Sequence, residues 1–167
     1  LLMGVLTSGG ILPDHWGEMI IKALKLEFSL VNGLHVSLND KYSSYIIDKE
    51  NQWIWDTRTP QFIPKIGSGE AMKLTNKRVL MIGTDMAAGK MTVGLELYSH
   101  LKDKNVNVGF VATGQVGITV TGKGIPLDAY KLDYACGAVQ QAVVEEQDKD
   151  IVIVEGQGSI LHPGSTA

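Results

Sequence analysis

An apolar run, Arg78-Val79-Leu80-Met81-Ile82, passes directly into Gly83-Thr84-Asp85-Met86-Ala87-Ala88-Gly89-Lys90-Met91-Thr92 and then into a helical pattern reaching Lys104. A strand, a glycine-bounded loop and a helix in that order constrain this chain more than any other feature. Backbone N–H groups around such glycines form a concave, partly positive nest. The helix adds its N-terminal dipole, and the lysine adds a full charge. Gly89 lets a phosphate oxygen approach the backbone with no Cβ in the way, and Lys90 reaches the terminal phosphate. Gly83, Thr84, Asp85, Ala88 and Met91 complete the loop.

The loop departs from the common phosphate-loop pattern twice. Gly83 stands one residue further from Gly89 than that pattern expects. Met91 holds the place of the usual Ser or Thr, and the hydroxyl arrives one residue late on Thr92. A helix turns about 100° per residue, so Thr92 points elsewhere than a residue at 91 would, and Mg²⁺ coordination does not follow from the motif alone. Phosphate binding does: an ordinary strand-to-helix turn with a solvated lysine would not have two similar loops beside it.

Those loops come from the alternation of the second half. Val106 to Ala112 and Asp150 to Val154 read as strands, and Lys90 to Lys104 and Asp128 to Glu146 as helices. The strands are nearly all apolar, as when helices cover both faces of a parallel sheet. This predicts an α/β fold with a doubly wound, mostly parallel sheet of P-loop NTPase type, whose ligands sit beyond the carboxyl ends of the strands. The three strands end in Gly83-Thr84-Asp85, Thr113-Gly114-Gln115 and Glu155-Gly156-Gln157-Gly158, so their tips converge on one site.

The first half reads differently. Leu1 to Leu6 is a strand entering a Thr7-Ser8-Gly9-Gly10 loop, and Asp14 stands as the N-cap of a helix carrying Trp16, Ile20, Ala23 and Leu24. A strand and loop span Leu30 to Leu38, Tyr42 to Asp48 is helical, and Trp53 to Asp56 is a short strand. Pro60, Pro64, Gly67 and Gly69 mark a linker. The division expected is residues 1–66, a partial first domain with its linker, and residues 67–167, the phosphate-loop domain. The apolar start and the stop shortly after His162-Pro163-Gly164 read as a fragment of a longer protein.

Among candidate catalytic residues, Glu155 stands where a Walker B acid belongs, placed to act as a general base or to hold Mg²⁺ together with Thr92. The plainer alternative is a carboxylate that caps its own strand. Gln115 and Gln157 offer amides to a polar ligand or simply to their loops. His162 is an imidazole either facing a ligand or satisfied structurally.

Several functions are excluded by composition. The net charge is −3, with no basic stripe beside an aromatic platform, so no nucleic-acid partner is expected. One cysteine, Cys136, rules out an internal disulfide and any Cys-rich zinc site, and its small neighbours read as packing on a helix. The apolar runs are too short to cross a bilayer and the start lacks a signal-peptide pattern. The expected compartment is the cytoplasm, with no membrane partner. Edges left open by a cut sheet point to homo-oligomerisation.

The residues from Gly83 to Leu97 resemble the phosphate loop of the D-glutamate N-acetyltransferase-like family, including the offset glycine and the Lys90-Met91-Thr92 order. Gly109 to Gln115, Val154 to Ser159 and Leu161 to Gly164 agree with it, as do Ser8-Gly9-Gly10, Gly33-Leu34-His35 and Trp55-Asp56-Thr57-Arg58. The resemblance implies a Rossmann-like first domain, about twice this length overall, and acetyl-CoA as the cofactor whose phosphates the loop holds. A base, Glu155 or His162, would deprotonate the amine of D-glutamate or a related small amino-acid substrate. The loop resembles more distantly that of dethiobiotin synthetase, which implies ATP with Mg²⁺ and a kinase or ligase. A non-catalytic nucleotide-sensing module is the third reading.

Overall fold

The computed structural model describes residues 1–4 and 11–161, so the Ser8-Gly9-Gly10 loop and His162-Pro163-Gly164 lie outside the described residues. The chain forms two compact units, Leu1–Thr59 and Pro60–Ala167. Each has its own three-stranded parallel sheet.

In the first unit the strands are β1 (Leu2–Met3), β2 (Leu30–Asn32) and β3 (Ile54–Asp56), paired in that order. Helix α1 (Asp14–Lys25) buries Ile20 and Leu24 against Leu30 and Ile54, the apolar stripe that its sequence predicts. Asp14 is not the cap, however. Pro13 holds that position and Asp14 is the first helical residue, where its charge still meets the positive end of the dipole.

The second helix also starts earlier than its sequence suggests. It is α2 (Leu38–Tyr42), followed by a 3₁₀ turn at Ser43–Tyr45, rather than a helix over Tyr42 to Asp48. A local cap and a remote carboxylate set the start together: Ser37 Oγ accepts Asp40 N–H at 3.2 Å, and the buried Asp56 carboxylate at the end of β3 accepts Leu38 N–H at 3.0 Å and Asn39 N–H at 2.9 Å. It also accepts Asn32 Nδ2 at 2.7 Å and Ser37 Oγ at 2.9 Å.

The second unit contains β4 (Lys77–Met81), β5 (Val108–Val111) and β6 (Ile151–Glu155) in the spatial order β4-β6-β5. The last strand in sequence is therefore the middle one. Helix α3 (Lys90–Asp103) follows the glycine loop, and α5 (Leu132–Glu145) packs Val143 against Val111, Val152 and Val154. β5 is buried throughout and β6 nearly so, as two covered faces require. β4 is not: Lys77 to Leu80 are exposed, because β4 lies at the sheet's edge.

Three further expectations are corrected here. The helix expected from Asp128 begins only at Leu132, because Ile125 N–H and Leu127 N–H bond Ala112 O and Thr113 O and lead the chain along the end of β5 through a 3₁₀ turn, Leu127–Ala129. Gln115, read as part of the loop at the end of β5, instead opens a short helix, α4 (Gln115–Thr121). Cys136 does lie on a helix but is exposed rather than packed. No helix among the described residues is long and apolar enough to cross a membrane.

Candidate phosphate-binding and acid–base site

Register places the site. Met81, the last residue of β4, pairs with Glu155, the last of β6, so the glycine loop and the Glu155-Gly156-Gln157-Gly158 segment leave the sheet side by side. Between them is a pocket of about 400 Å³ walled by Met86 to Thr92 on one side and Glu155 to Gly158 on the other.

The loop has the backbone of a phosphate cradle. Ala87 and Gly89 adopt left-handed φ values of 55° and 89°, the kind of backbone from which anion-binding nests are built, and Gly89 caps the start of α3. A Cβ built on Gly89 would meet nothing within 4 Å, so the concavity stands open. The leading glycine has a different task. A Cβ on Gly83 would lie 3.1 and 3.2 Å from Cγ and Cδ of Lys90, so the missing side chain is the channel along which the lysine stem runs. Lys90 Nζ donates to Asp85 O at 3.1 Å, and Met86 N–H donates to Asp85 Oδ1 at 2.7 Å. The lysine is folded onto its own loop, within reach of the pocket.

Glu155 is the group that joins the loops. It is only 6% exposed, and its Oε2 accepts Thr113 N–H at 2.9 Å and Gly114 N–H at 3.2 Å. Thr113 Oγ1 donates back to Glu155 O at 2.8 Å, and Gln157 Nε2 donates to Thr113 Oγ1 at 3.0 Å. One carboxylate oxygen is thus committed to the β5 tip and the start of α4. The other, Oε1, receives no bond from any described donor, on a side chain that lines the pocket. Gly117 in α4 makes room for this arrangement, since a Cβ there would collide with Oε2. Gly117→Ala is expected to cost about 1–3 kcal/mol of stability through overpacking, read as a lower urea midpoint; an unchanged midpoint would mean that Glu155 is free to move aside.

Of the candidates read from sequence, the structure gathers Ala88, Gly89, Lys90, Met91, Thr92, Glu155, Gly156 and Gln157 around this pocket. Thr92 lines it despite its late position in the motif. Thr84 and Asp85 lie off the wall, although Asp85 O holds the lysine. Gly83 and Thr113 border a second cleft, Gly114 acts through Glu155, and Gln115 opens α4. Met86, Ala87 and Gly158, which the sequence places in these segments without singling them out, line the pocket as well. The left-handed Ala87 left no trace in the sequence, because alanine does not advertise that conformation. Among the described residues, no cluster of three or more His, Cys, Asp or Glu could hold a metal ion.

A glycine-rich loop between a parallel strand and a helix, with an acid at the tip of the neighbouring strand, defines a P-loop α/β protein, here preceded by a Rossmann-like unit. The chain belongs to the DUF1611 family: residues 65–167 match its P-loop domain and residues 1–60 its Rossmann-like N-terminal domain, both described as domains of unknown function. It is 33% identical over 163 residues to a D-glutamate N-acetyltransferase of Tritonibacter scottomollicae, and 35% identical over 164 residues to one of a Pseudoalteromonas species. Each match covers 97% of this chain and 48% of the relative, so the chain spans about half the length of these relatives. The crystal structure of a DUF1611 family protein from Anabaena variabilis superposes with a TM-score of 0.90 at 42% identity, over 99% of this chain and 48% of that one.

Proposed function

We propose that this chain is part of an acetyl-CoA-dependent N-acetyltransferase acting on D-glutamate or a related amino acid in the cytoplasm, with no nucleic-acid or membrane partner. The observation that carries the reading is the divided carboxylate of Glu155, one oxygen fixed by two backbone amides and the other left for a ligand, on the wall of a phosphate cradle. The names of the relatives support the reaction type. The cradle fits the cofactor's phosphates: left-handed turns at Ala87 and Gly89, open space at Gly89 and a lysine that needs only to leave Asp85 O.

The residues then have separate tasks. Lys90 and the loop amides hold phosphate oxygens and fix the cofactor's position. Glu155 Oε1 takes a proton from the acceptor ammonium, freeing the nitrogen lone pair to attack the thioester carbonyl carbon. A C–N bond forms, the C–S bond breaks, and the nitrogen's second proton passes to the departing sulfur, which leaves as the thiol. Thr113 and Gly114 amides already serve Glu155, so donors to the carbonyl oxygen come from the Gly156 to Gly158 side of the pocket.

One observation favours a second reading. Thr92 and Glu155 share the pocket, so an ATP-bound Mg²⁺ has a hydroxyl and a carboxylate to meet. Thermal denaturation with acetyl-CoA, CoA, ATP or ATP with Mg²⁺ separates the two. A ligand at 100 times its dissociation constant adds about 2.7 kcal/mol to stability. Stabilisation by acetyl-CoA without metal is expected, and stabilisation only by ATP with Mg²⁺ would reverse the assignment. Lys90→Ala should weaken the binding ligand by about 1.5–3 kcal/mol, the scale of a charge-assisted hydrogen bond, while leaving the melting temperature without ligand unchanged. Calorimetry showing wild-type affinity in this variant would remove the lysine from the site.

A further inference from the structure

Behind the Glu155–Gly158 wall lies a second cleft of about 180 Å³, floored by Val154 and Val139 and bordered by Leu80, Ile82, Leu127 and Ile160. The two hollows share Glu155, Gly156, Gln157 and Gly158, so they are separated only by the segment that leaves β6. Ile160 N–H donates to Gly83 O at 3.0 Å, tying the far rim of the cleft to the first residue of the phosphate loop.

The cleft's chemistry is one-sided. Leu80, Ile82 and Ile160 are 58%, 62% and 58% exposed, an apolar rim open to water beside a ligand site. Among the described residues its lining holds neither Lys, Arg nor His, and the ionisable group it does hold is Glu155. Among the described residues a dicarboxylic amino acid finds no cation to neutralise it here, and Glu155 would repel it. An uncharged, largely apolar group is what such a surface binds. Because the two hollows share the Glu155–Gly158 segment, a ligand anchored by phosphates in the first pocket has the cleft as its immediate neighbour.

We infer that this cleft is the subsite for the uncharged acyl-thioester arm of the cofactor, so that the acidic acceptor amino acid is held elsewhere. The assignment rests on the acetyl-CoA reading of the neighbouring pocket and deepens it. It brings the thioester past Glu155 Oε1, the one oxygen without a described donor. Glu155 then has a double role: it serves as base toward the amine and excludes the acceptor's carboxylates from the acyl subsite.

The test is calorimetry on the full chain with two probes, acetyl-CoA and 3′-phospho-ADP, which keeps the phosphates but lacks the arm. Leu80→Gln and Ile82→Gln are neutral changes at exposed positions, so neither adds charge near the phosphates. Each is expected to weaken acetyl-CoA by about tenfold, the scale of losing one apolar side-chain contact, and to leave 3′-phospho-ADP unchanged. Equal losses for both probes, or an unaltered acetyl-CoA affinity, overturn the cleft assignment while leaving the phosphate site standing. So does a variant that only melts lower, which would mean that protein covers the cleft. Wild-type protein that binds neither probe overturns the acetyl-CoA reading itself.

Discussion

Glu155→Gln in the full-length protein is expected to lower turnover by roughly 10²–10⁴-fold, the usual share of general base catalysis, with acetyl-CoA affinity nearly intact. Glutamine suits the site unusually well as a control. Both amide bonds fall on a single carboxylate oxygen, so a glutamine turned with its carbonyl toward Thr113 and Gly114 keeps both of them. Only the charge and the proton-accepting Oε1 are lost. Steady-state kinetics with a saturating acceptor provide the measurement, and calorimetry checks affinity. If the variant instead loses Mg²⁺-dependent ATP binding, and EDTA mimics it in the wild type, Glu155 is a metal ligand. Wild-type turnover together with a wild-type metal response would leave it as a strand cap.

Gly89→Val is expected to abolish ligand-induced stabilisation while the protein still folds. Two costs act at this residue and can be told apart. A φ of 89° disfavours any side chain, β-branched ones most, at about 1–3 kcal/mol. The added carbon itself meets no protein atom within 4 Å, so packing adds nothing to that cost. The space it enters is the space that phosphate needs. Gly89→Ala, with less bulk at the same φ, should show most of the stability loss and a smaller loss of binding. A valine variant that keeps the full ligand-induced shift in melting temperature would reduce the loop to a turn.

Much of this was legible in the chain because the relevant signals are local. The apolar strands, the glycine loop opening a helix and the acid at the end of β6 all follow from spacing within a few residues. What was not legible depends on distant partners. α2 begins where Asp56 of β3 accepts its first amides, and α4, whose Gln115-Val116-Gly117-Ile118-Thr119-Val120-Thr121 is poor helix material, starts where Glu155 of β6 holds Thr113 and Gly114. Neither carboxylate is near its helix in sequence. The exposure of β4 was hidden for the same kind of reason: an apolar pattern reports what a strand prefers to bury, not whether a neighbour lies beside it.

The spatial order of the second sheet has a consequence for how the chain is made. Among the described residues β4 and β5 do not pair with each other, and both pair with β6, the last of the three to leave the ribosome. Until then the earlier strands have no ladder to join, and every sheet contact that closes is a distant one, which slows folding. The nascent chain therefore carries unpaired apolar strands from the emergence of β4 until β6 follows, the interval in which such segments invite aggregation or chaperones. The phosphate loop is present early, but its opposite wall arrives with Glu155. Ligand capture and completion of the sheet thus become one late event, and cofactor supplied during refolding should raise the yield of native protein.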